Sequence, residues 1–166
     1  IEQDLELFAY FPTRYFLVRR NQLRAVVSCL IASQTKQWHR ARDPQISDQQ
    51  LKPIELDDIA DFLDEQASLI ETTDKFIERH RLECTRLWYE DIFEPEIALE
   101  DRMKIVGGLA KRATGQPLPK QYLNKLAQVL AHDANKVNSS STYRLVPNLD
   151  QINEQFGNGK FGEQLA

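Results

Sequence analysis

The apolar residues of this chain switch between short unbroken runs and helical spacing. Tyr15–Val18 is a run of aromatic and aliphatic residues that follows Pro12, and it predicts a buried strand. Asn21 can then cap a helix, because apolar residues recur after it at helical intervals: Leu23, Val26, Val27, Leu30 and Ile31. The start of the chain therefore predicts a strand, a tight turn and a helix.

A second unit of the same kind follows. Residues 56–81 have broken helical spacing without proline or glycine and predict a long helix, and residues 82–89 predict a second buried strand. Pro95 suits the first turn of a further helix, and Gly107-Gly108 suits its C-terminal end. Strands that alternate with helices indicate an α/β fold, with a parallel sheet flanked by helices.

The remaining segments are connections, one helix and a tail. Residues 40–53 have no period and predict a surface loop, and residues 115–119 predict another loop. Residues 122–130 have the spacing of an amphipathic helix, and a mostly irregular tail is expected from Asn138 onwards. We expect residues 1–166 to be a single domain. The chain opens on Ile1 inside an acidic apolar segment, so we also expect polypeptide to precede it and the domain to be partial.

Composition narrows the function classes. A net charge of -4 and a pI near 5.4 argue against a general nucleic-acid surface, which needs a basic excess. Cys29 and Cys84 are too few for a disulfide framework or a metal-binding set, so we expect two reduced core thiols. No run reaches the roughly 20 apolar residues of a membrane span, and no targeting segment opens the chain. We expect a cytoplasmic protein.

Arg20 and Ser28 are the first candidates for binding. An arginine at the C-terminal end of a parallel strand points into the crevice where α/β folds bind ligands, and its guanidinium can hold phosphate oxygens bidentately. Ser28 lies eight positions later, on the helix, where its hydroxyl can return to the same crevice. Spacing alone leaves two alternatives open, since such an arginine is often solvated or ion-paired and such a serine is often incidental.

Three segments carry a resemblance to a known family. Residues 15–28 resemble the strand–arginine–turn–helix–serine segment with which sulfotransferases bind the 3′-phosphate of 3′-phosphoadenosine 5′-phosphosulfate (PAPS), and residues 28–39 look most like the bacterial trehalose-type members. Residues 86–96 are similar to a Tyr-Glu-Asp segment with an acidic-Pro turn that these enzymes carry downstream. The tail, 136–166, resembles the C-terminal segment that closes over the nucleotide in carbohydrate-type members.

The resemblance implies roles for particular residues. Arg20 and Ser28 would bind the 3′-phosphate, and Tyr89 would stack near the adenine, the alternative being a core tyrosine. Ser139 and Ser140 would offer hydroxyls to phosphate, the alternative being a solvated turn. A basic cluster would attract the anionic donor, and it comprises Arg14, Arg19, Arg20 and Arg24.

The resemblance also implies what lies outside the chain. The architecture would be the P-loop-like sulfotransferase fold without its N-terminal strand and 5′-phosphosulfate loop, and the catalytic residues are expected upstream of Ile1. His39 could face an acceptor, but a lone histidine there is more typical of a surface position, and His80 and His132 look solvated. The donor would be PAPS, leaving as 3′-phosphoadenosine 5′-phosphate (PAP), with no metal.

The expected function is transfer of a sulfuryl group from PAPS to a hydroxyl of a carbohydrate or glycolipid, with a homodimer as a possible assembly. One alternative is a non-catalytic nucleotide-binding remnant or interaction module. Another is a P-loop-type phosphotransferase, which is weaker because the sequence contains no Gly-x-x-x-x-Gly-Lys-Ser/Thr run. Neither nucleic acid nor a transmembrane segment is expected among the partners.

Overall fold

The computed structural model describes residues 10–36, 51–94, 96–131 and 140–165, with the side chains of residues 140 and 141 excepted. These residues form a mixed α/β fold that is mainly helical, with a small parallel sheet, which confirms the predicted α/β class in this general form. In order, the elements are β1 (Tyr15–Val18), α1 (Gln22–Thr35), α2 (Leu56–Arg79), β2 (Thr85–Trp88), α3 (Glu90–Phe93), α4 (Leu99–Thr114), α5 (Lys120–Leu130), α6 (Ser140–Tyr143), α7 (Leu149–Phe156), β3 (Asn158–Gly159) and β4 (Gly162–Glu163).

The residues group into two compact units. Within the described ranges, the first unit takes in residues 10–18 and 72–131, and the second takes in residues 19–36, 51–71 and 140–165. No helix in these ranges has the length and apolar composition needed to cross a bilayer. The expectation of a single partial domain over residues 1–166 stays a prediction.

The parallel sheet belongs to the first unit. β1 and β2 pair from Tyr15 opposite Thr85 to Val18 opposite Trp88, which confirms the two predicted strands and their parallel direction. The prediction that both strands are buried is wrong, because Leu17 is 48% exposed and Thr85 is exposed. One aromatic residue of each strand contacts a cation. The Arg86 guanidinium lies 5.4 Å from the Phe16 ring centroid and 5.7 Å from that of Trp88.

Helix α4 runs through the glycine pair that was expected to end it. Gly107 and Gly108 lie inside the helix, which continues to Thr114 and stops at Gly115 with φ +74°. A helix-interior glycine costs about 1 kcal/mol relative to alanine, a penalty that packing can offset. The left-handed conformation at Gly115 is a stronger stop signal, because it is the conformation that favours glycine. Pro95, the expected start, lies outside the described residues.

The main hydrophobic core lies in the second unit. It combines one face of α1, the start of α2 and the C-terminal tail, and its members are Leu23, Val26, Val27, Ile31, Leu51, Ile54, Ile59, Leu63, Tyr143, Val146, Ile152, Phe156 and Leu165. The helical spacing predicted for α1 is therefore confirmed. Leu51 is buried, so the expected surface loop at 40–53 is wrong at that residue, while residues 40–50 lie outside the described ranges.

The C-terminal tail is more regular than expected. It contains α6, α7 and a short β3–β4 hairpin, which corrects the prediction of a mostly irregular segment. Asn148 attaches the tail by exchanging side-chain hydrogen bonds with the backbone N and O of Ile54, and Asn153 makes the same kind of bonds within the tail, to Leu165. Ile152 and Phe156 bury the apolar face of α7. This amphipathic pattern spans only two turns, too few for a clear periodic signal in the sequence.

The β3–β4 hairpin contacts the beginning of α1. The backbone N–H of Leu23 donates to the carbonyl of Phe161 at 3.0 Å, and the Asn21 side-chain amide donates to the carbonyl of Glu163 at 3.3 Å. Gly162, with φ +137°, sits directly against Asn21, where a Cβ atom would lie 2.5 Å from the Asn21 Oδ1. Both the backbone angle and the space therefore require glycine at this position.

Two glycine substitutions should move stability in opposite directions. Gly162→Ala should lower the free energy of unfolding by about 2 kcal/mol, since it combines backbone strain with a steric clash. Gly108→Ala should raise it by about 0.5–1 kcal/mol, because the helix interior favours alanine and a Cβ there meets no atom within 4 Å. Urea unfolding of both variants measures the two effects, and equal stability of Gly162→Ala and wild type would contradict the first.

Candidate functional site

Arg20 lies between the end of β1 and the start of α1. It is exposed, it directly precedes Asn21, and its carbonyl accepts a hydrogen bond from the N–H of Gln22 at 3.2 Å. Asn21 is the N-cap, as predicted, with its Oδ1 accepting from the backbone N–H of Arg24 at 2.9 Å. The strand, turn and helix predicted around this arginine are thus present.

The first backbone amides of α1 are already engaged inside the second unit. Gln22 N–H bonds to Arg20, Leu23 N–H to Phe161, and Arg24 N–H to Asn21. These are the donors that a helix N-terminus usually offers to an anion. An anion at this end of α1 would therefore have to be held mainly by side chains.

One face of α1 carries the side chains suited to that task. Asn21, Arg24 and Ser28 follow one another at intervals of three and four residues, which places them on the same side of the helix. Ser28 is half-buried, and its position is about 9 Å from Gln22 along the helix axis, at 1.5 Å per residue. This face therefore presents a guanidinium and a hydroxyl one turn apart.

Tyr143, from α6, packs on this face. Its hydroxyl lies 2.6 Å from the Ser28 Oγ, its ring centroid lies 5.9 Å from the Arg24 guanidinium carbon, and it is only 1% exposed. Sequence reasoning missed this residue, although an aromatic side chain in an otherwise polar stretch is a signal of a buried anchor. The tail therefore contributes directly to the surroundings of Ser28.

Tyr89 lies in the first unit, immediately after β2. Its backbone N–H donates to the carbonyl of Val18 at 2.8 Å, and its ring stacks on Phe93 with centroids 4.7 Å apart and planes at 30°. The side chain is half-buried, which fits neither a fully buried core tyrosine nor an isolated surface residue. Its expected role beside the adenine stays a prediction.

The other predicted site residues fall at or beyond the edge of the described chain. Ser140 begins α6, but its side chain is not described, and Ser139 lies outside the described residues. Trp38, His39 and His132 also lie outside them. Their expected roles stay predictions.

The cysteines and His80 differ from expectation in their burial. Cys29 and Cys84 are free thiols, as predicted, but both are half-buried rather than core residues. Burial raises the pKa of the Cys84 thiol, against the opposing effect of Arg14 and Arg86, so this residue is a poor nucleophile at neutral pH. His80 is half-buried with its ring centroid 4.6 Å from that of Phe76, so the expectation of a solvated histidine is wrong.

The second unit also has an open cleft of about 560 Å³ beside the start of α2. Short acidic and amide side chains alternate there with apolar ones, and the lining residues are Pro53, Ile54, Glu55, Leu56, Asp57, Pro147, Asn148 and Gln151. Carboxylates and amides of this kind can exchange hydrogen bonds with hydroxyl groups. The cleft is therefore chemically suited to a small polyhydroxyl ligand.

Comparison with known proteins adds no relative. No family model, curated protein or solved structure matches this chain. The chemistry of the site comes from its own side chains: Arg20 and Arg24 supply two permanent positive charges near the start of α1, and Ser28 supplies a hydroxyl. Such a set is suited to a doubly charged phosphate, because both guanidinium groups donate only and phosphate oxygens accept.

Proposed function

We propose that this chain binds the 3′-phosphate of PAPS and is part of a sulfotransferase that transfers the sulfuryl group to a hydroxyl of a carbohydrate or glycolipid. One observation carries the proposal. Arg20, Arg24 and Ser28 follow a parallel strand, on or just before a helix whose first amides are already bonded internally. An anion here would thus be bound by side chains rather than by the helix amides.

Charge supports a phosphate in particular. The whole chain has a net charge of -4, so the positive charges near the start of α1 are a local feature rather than a general basic character. The β3–β4 hairpin, which bonds to α1 through Phe161, adds the exposed Lys160 to the same unit. A ligand with an extra phosphate at its ribose would gain from each of these cations, and PAPS has that phosphate whereas most nucleotides do not.

In the proposed reaction, the bond from sulfur to the bridging phosphate oxygen breaks, a bond to the acceptor oxygen forms, and the acceptor proton passes to a base. Arg20, Arg24 and Ser28 would hold the nucleotide that leaves as PAP. We propose the P-loop-like sulfotransferase architecture for this fold, and we assign the 5′-phosphosulfate loop and the base to no residue of this chain. This chain would contribute the part of the site that fixes the donor.

The acceptor half of the proposal is supported by the cleft beside α2. Glu55, Asp57 and Gln151 line it with groups that can hydrogen-bond sugar hydroxyls, and Pro53 and Pro147 add apolar surface for a sugar ring. A protein or aromatic acceptor would be served better by a more apolar pocket. The cleft therefore offers both kinds of contact that a carbohydrate acceptor makes.

Nucleotide binding to the wild-type protein tests the proposal directly. PAP should bind about 100-fold more tightly than AMP, which lacks the 3′-phosphate, since two charge-assisted hydrogen bonds supply about 3 kcal/mol. Isothermal titration calorimetry of both nucleotides measures the ratio. Equal affinities for PAP and AMP would contradict the proposal, and tighter binding of ATP with Mg²⁺ than of PAP would favour a phosphotransferase.

Transfer itself needs a second assay on the complete natural polypeptide. With ³⁵S-labelled PAPS, label should appear on a disaccharide or glycolipid acceptor and not on a tyrosine-containing peptide. Tight PAP binding without transfer to any acceptor would favour a non-catalytic nucleotide-binding remnant.

A further inference from the structure

Tyr143 and Ser28 form a pair of hydroxyl groups that are far apart in sequence. The Tyr143 hydroxyl lies 2.6 Å from the Ser28 Oγ, a short distance for two neutral hydroxyls, and the tyrosine side chain is 1% exposed. The Arg24 guanidinium covers its ring at 5.9 Å. Val146, three residues further along, is also a core residue, so the segment that carries the phenol is packed into the core.

The direction of this hydrogen bond follows from the ligand that Ser28 would bind. An ionised phosphate has only acceptor oxygens, so the Ser28 hydroxyl must donate the hydrogen bond to it. Its single hydrogen is then used, so in its contact with Tyr143 the Ser28 oxygen accepts and the Tyr143 hydroxyl donates. A phenol is also a better donor than an aliphatic hydroxyl, and successive hydrogen bonds in a chain strengthen one another.

We propose that Tyr143 is a positioning residue that donates a hydrogen bond to Ser28 and thereby directs the Ser28 hydroxyl towards the donor's 3′-phosphate. This inference rests on the proposed function. In this role the tail does not cover the nucleotide. Instead, Tyr143 of α6 sets the orientation of the Ser28 hydroxyl on α1. Without the phenol, the Ser28 side chain can rotate to the carbonyl of its own helix one turn earlier, as helix serines commonly do.

The test uses Tyr143→Phe, which keeps the buried ring and removes only the hydroxyl. The variant should bind PAP about five-fold more weakly, the effect of one neutral hydrogen bond, and bind AMP as wild type does. Ser28→Ala should likewise weaken PAP binding and leave AMP binding unchanged. In the double variant the loss should be no larger than in Ser28→Ala, because Tyr143 acts only through Ser28.

Calorimetric titration of the four proteins with PAP and AMP distinguishes the outcomes. Wild-type PAP affinity in Tyr143→Phe overturns the inference, as does an equal loss for AMP, which would indicate general loosening of the unit. Additive losses in the double variant also overturn it. Failure of wild-type protein to prefer PAP overturns the proposed function itself, whereas a PAP preference in Tyr143→Phe as large as that of wild type overturns the positioning role alone.

A measurement on the unmutated protein covers the case in which Tyr143→Phe does not fold. With tyrosine labelled by ¹³C at the ζ carbon, PAP should shift the Tyr143 resonance, because a new acceptor on Ser28 polarises the phenol that donates to it. AMP should leave that resonance in place. Equal shifts with both nucleotides, or none with PAP, overturn the inference.

Discussion

Replacing Arg20 with alanine should remove most of the protection that PAP gives the protein against thermal unfolding. The guanidinium supplies up to two charge-assisted hydrogen bonds, and their loss should weaken binding by about 3 kcal/mol, or about 100-fold. At a PAP concentration 100 times the wild-type Kd, ligand binding stabilises wild type by about 2.7 kcal/mol and the variant by only about 0.4 kcal/mol. Thermal unfolding with and without PAP measures the difference.

The large size of this effect follows from the local structure of α1. The helix amides that would otherwise share the phosphate are bonded to Arg20, Asn21 and Phe161 by their carbonyl or side-chain oxygens. Removing one guanidinium therefore leaves few donors to replace it.

Two control variants separate phosphate binding from charge. Arg112→Ala removes an exposed arginine from α4 in the other unit, and it should leave PAP protection intact. Arg20→Lys keeps the charge but loses the planar fork, so its protection should be intermediate. Full PAP protection in Arg20→Ala would rule out the phosphate role of this residue, and a loss in Arg112→Ala would mean that only net charge matters.

The fold could be predicted where local chemistry alone determines the conformation. Asn21 caps α1 as expected, because its side chain bonds three residues along the same segment. The two strands were also predictable as elements. The exposure of these strands could not be predicted, because an apolar run gives no information on which residues cover it. Here the Arg86 side chain lies over two aromatic rings.

One of the failed predictions, the irregular tail, depends on contacts distant in sequence. The tail is ordered by Asn148, which bonds Ile54 across 94 positions, and no local pattern encodes such a pairing. Gly107-Gly108 has the local signature of a helix end, yet α4 continues through it. The pairing that orders the tail lies outside the window that a sequence pattern covers, whereas α4 ends only at Gly115, where φ is +74°.

The same limit applies to the candidate site. Arg20 and Ser28 could be proposed from a strand, a turn and an interval of eight residues, all of them local. Tyr143 could not, since it reaches Ser28 from 115 positions away. Sequence spacing alone left the role of Ser28 open, and its contact with Tyr143 is visible only in the folded chain.

Arg102 is expected to be the residue whose loss destabilises the first unit most. It is 3% exposed, its Nη1 donates to the carbonyl of Leu130 at 2.9 Å, and its Nη2 donates to the carbonyl of Glu94 at 2.7 Å. Leu130 is the last residue of α5, where carbonyls have no partner in their own helix and a positive charge is favourable. Arg102→Ala should therefore lower the free energy of unfolding by about 3 kcal/mol, through the loss of two hydrogen bonds and the cavity that remains. The Glu94 carbonyl keeps its bond from the Ile97 N–H.

Urea unfolding of three variants isolates the hydrogen bonds. Arg102→Met retains the apolar volume, so its loss of stability should be about 2 kcal/mol and should come from the two lost hydrogen bonds. Arg112→Ala, in the exposed last turn of the same helix, should change stability by no more than about 0.5 kcal/mol. A buried cation costs desolvation energy, which a methionine avoids. The sign of the change in the free energy of unfolding for Arg102→Met therefore tests whether the hydrogen bonds outweigh that cost. If that variant is as stable as wild type, the desolvation cost equals the hydrogen-bond gain, and Arg102 does not hold α5 to the unit.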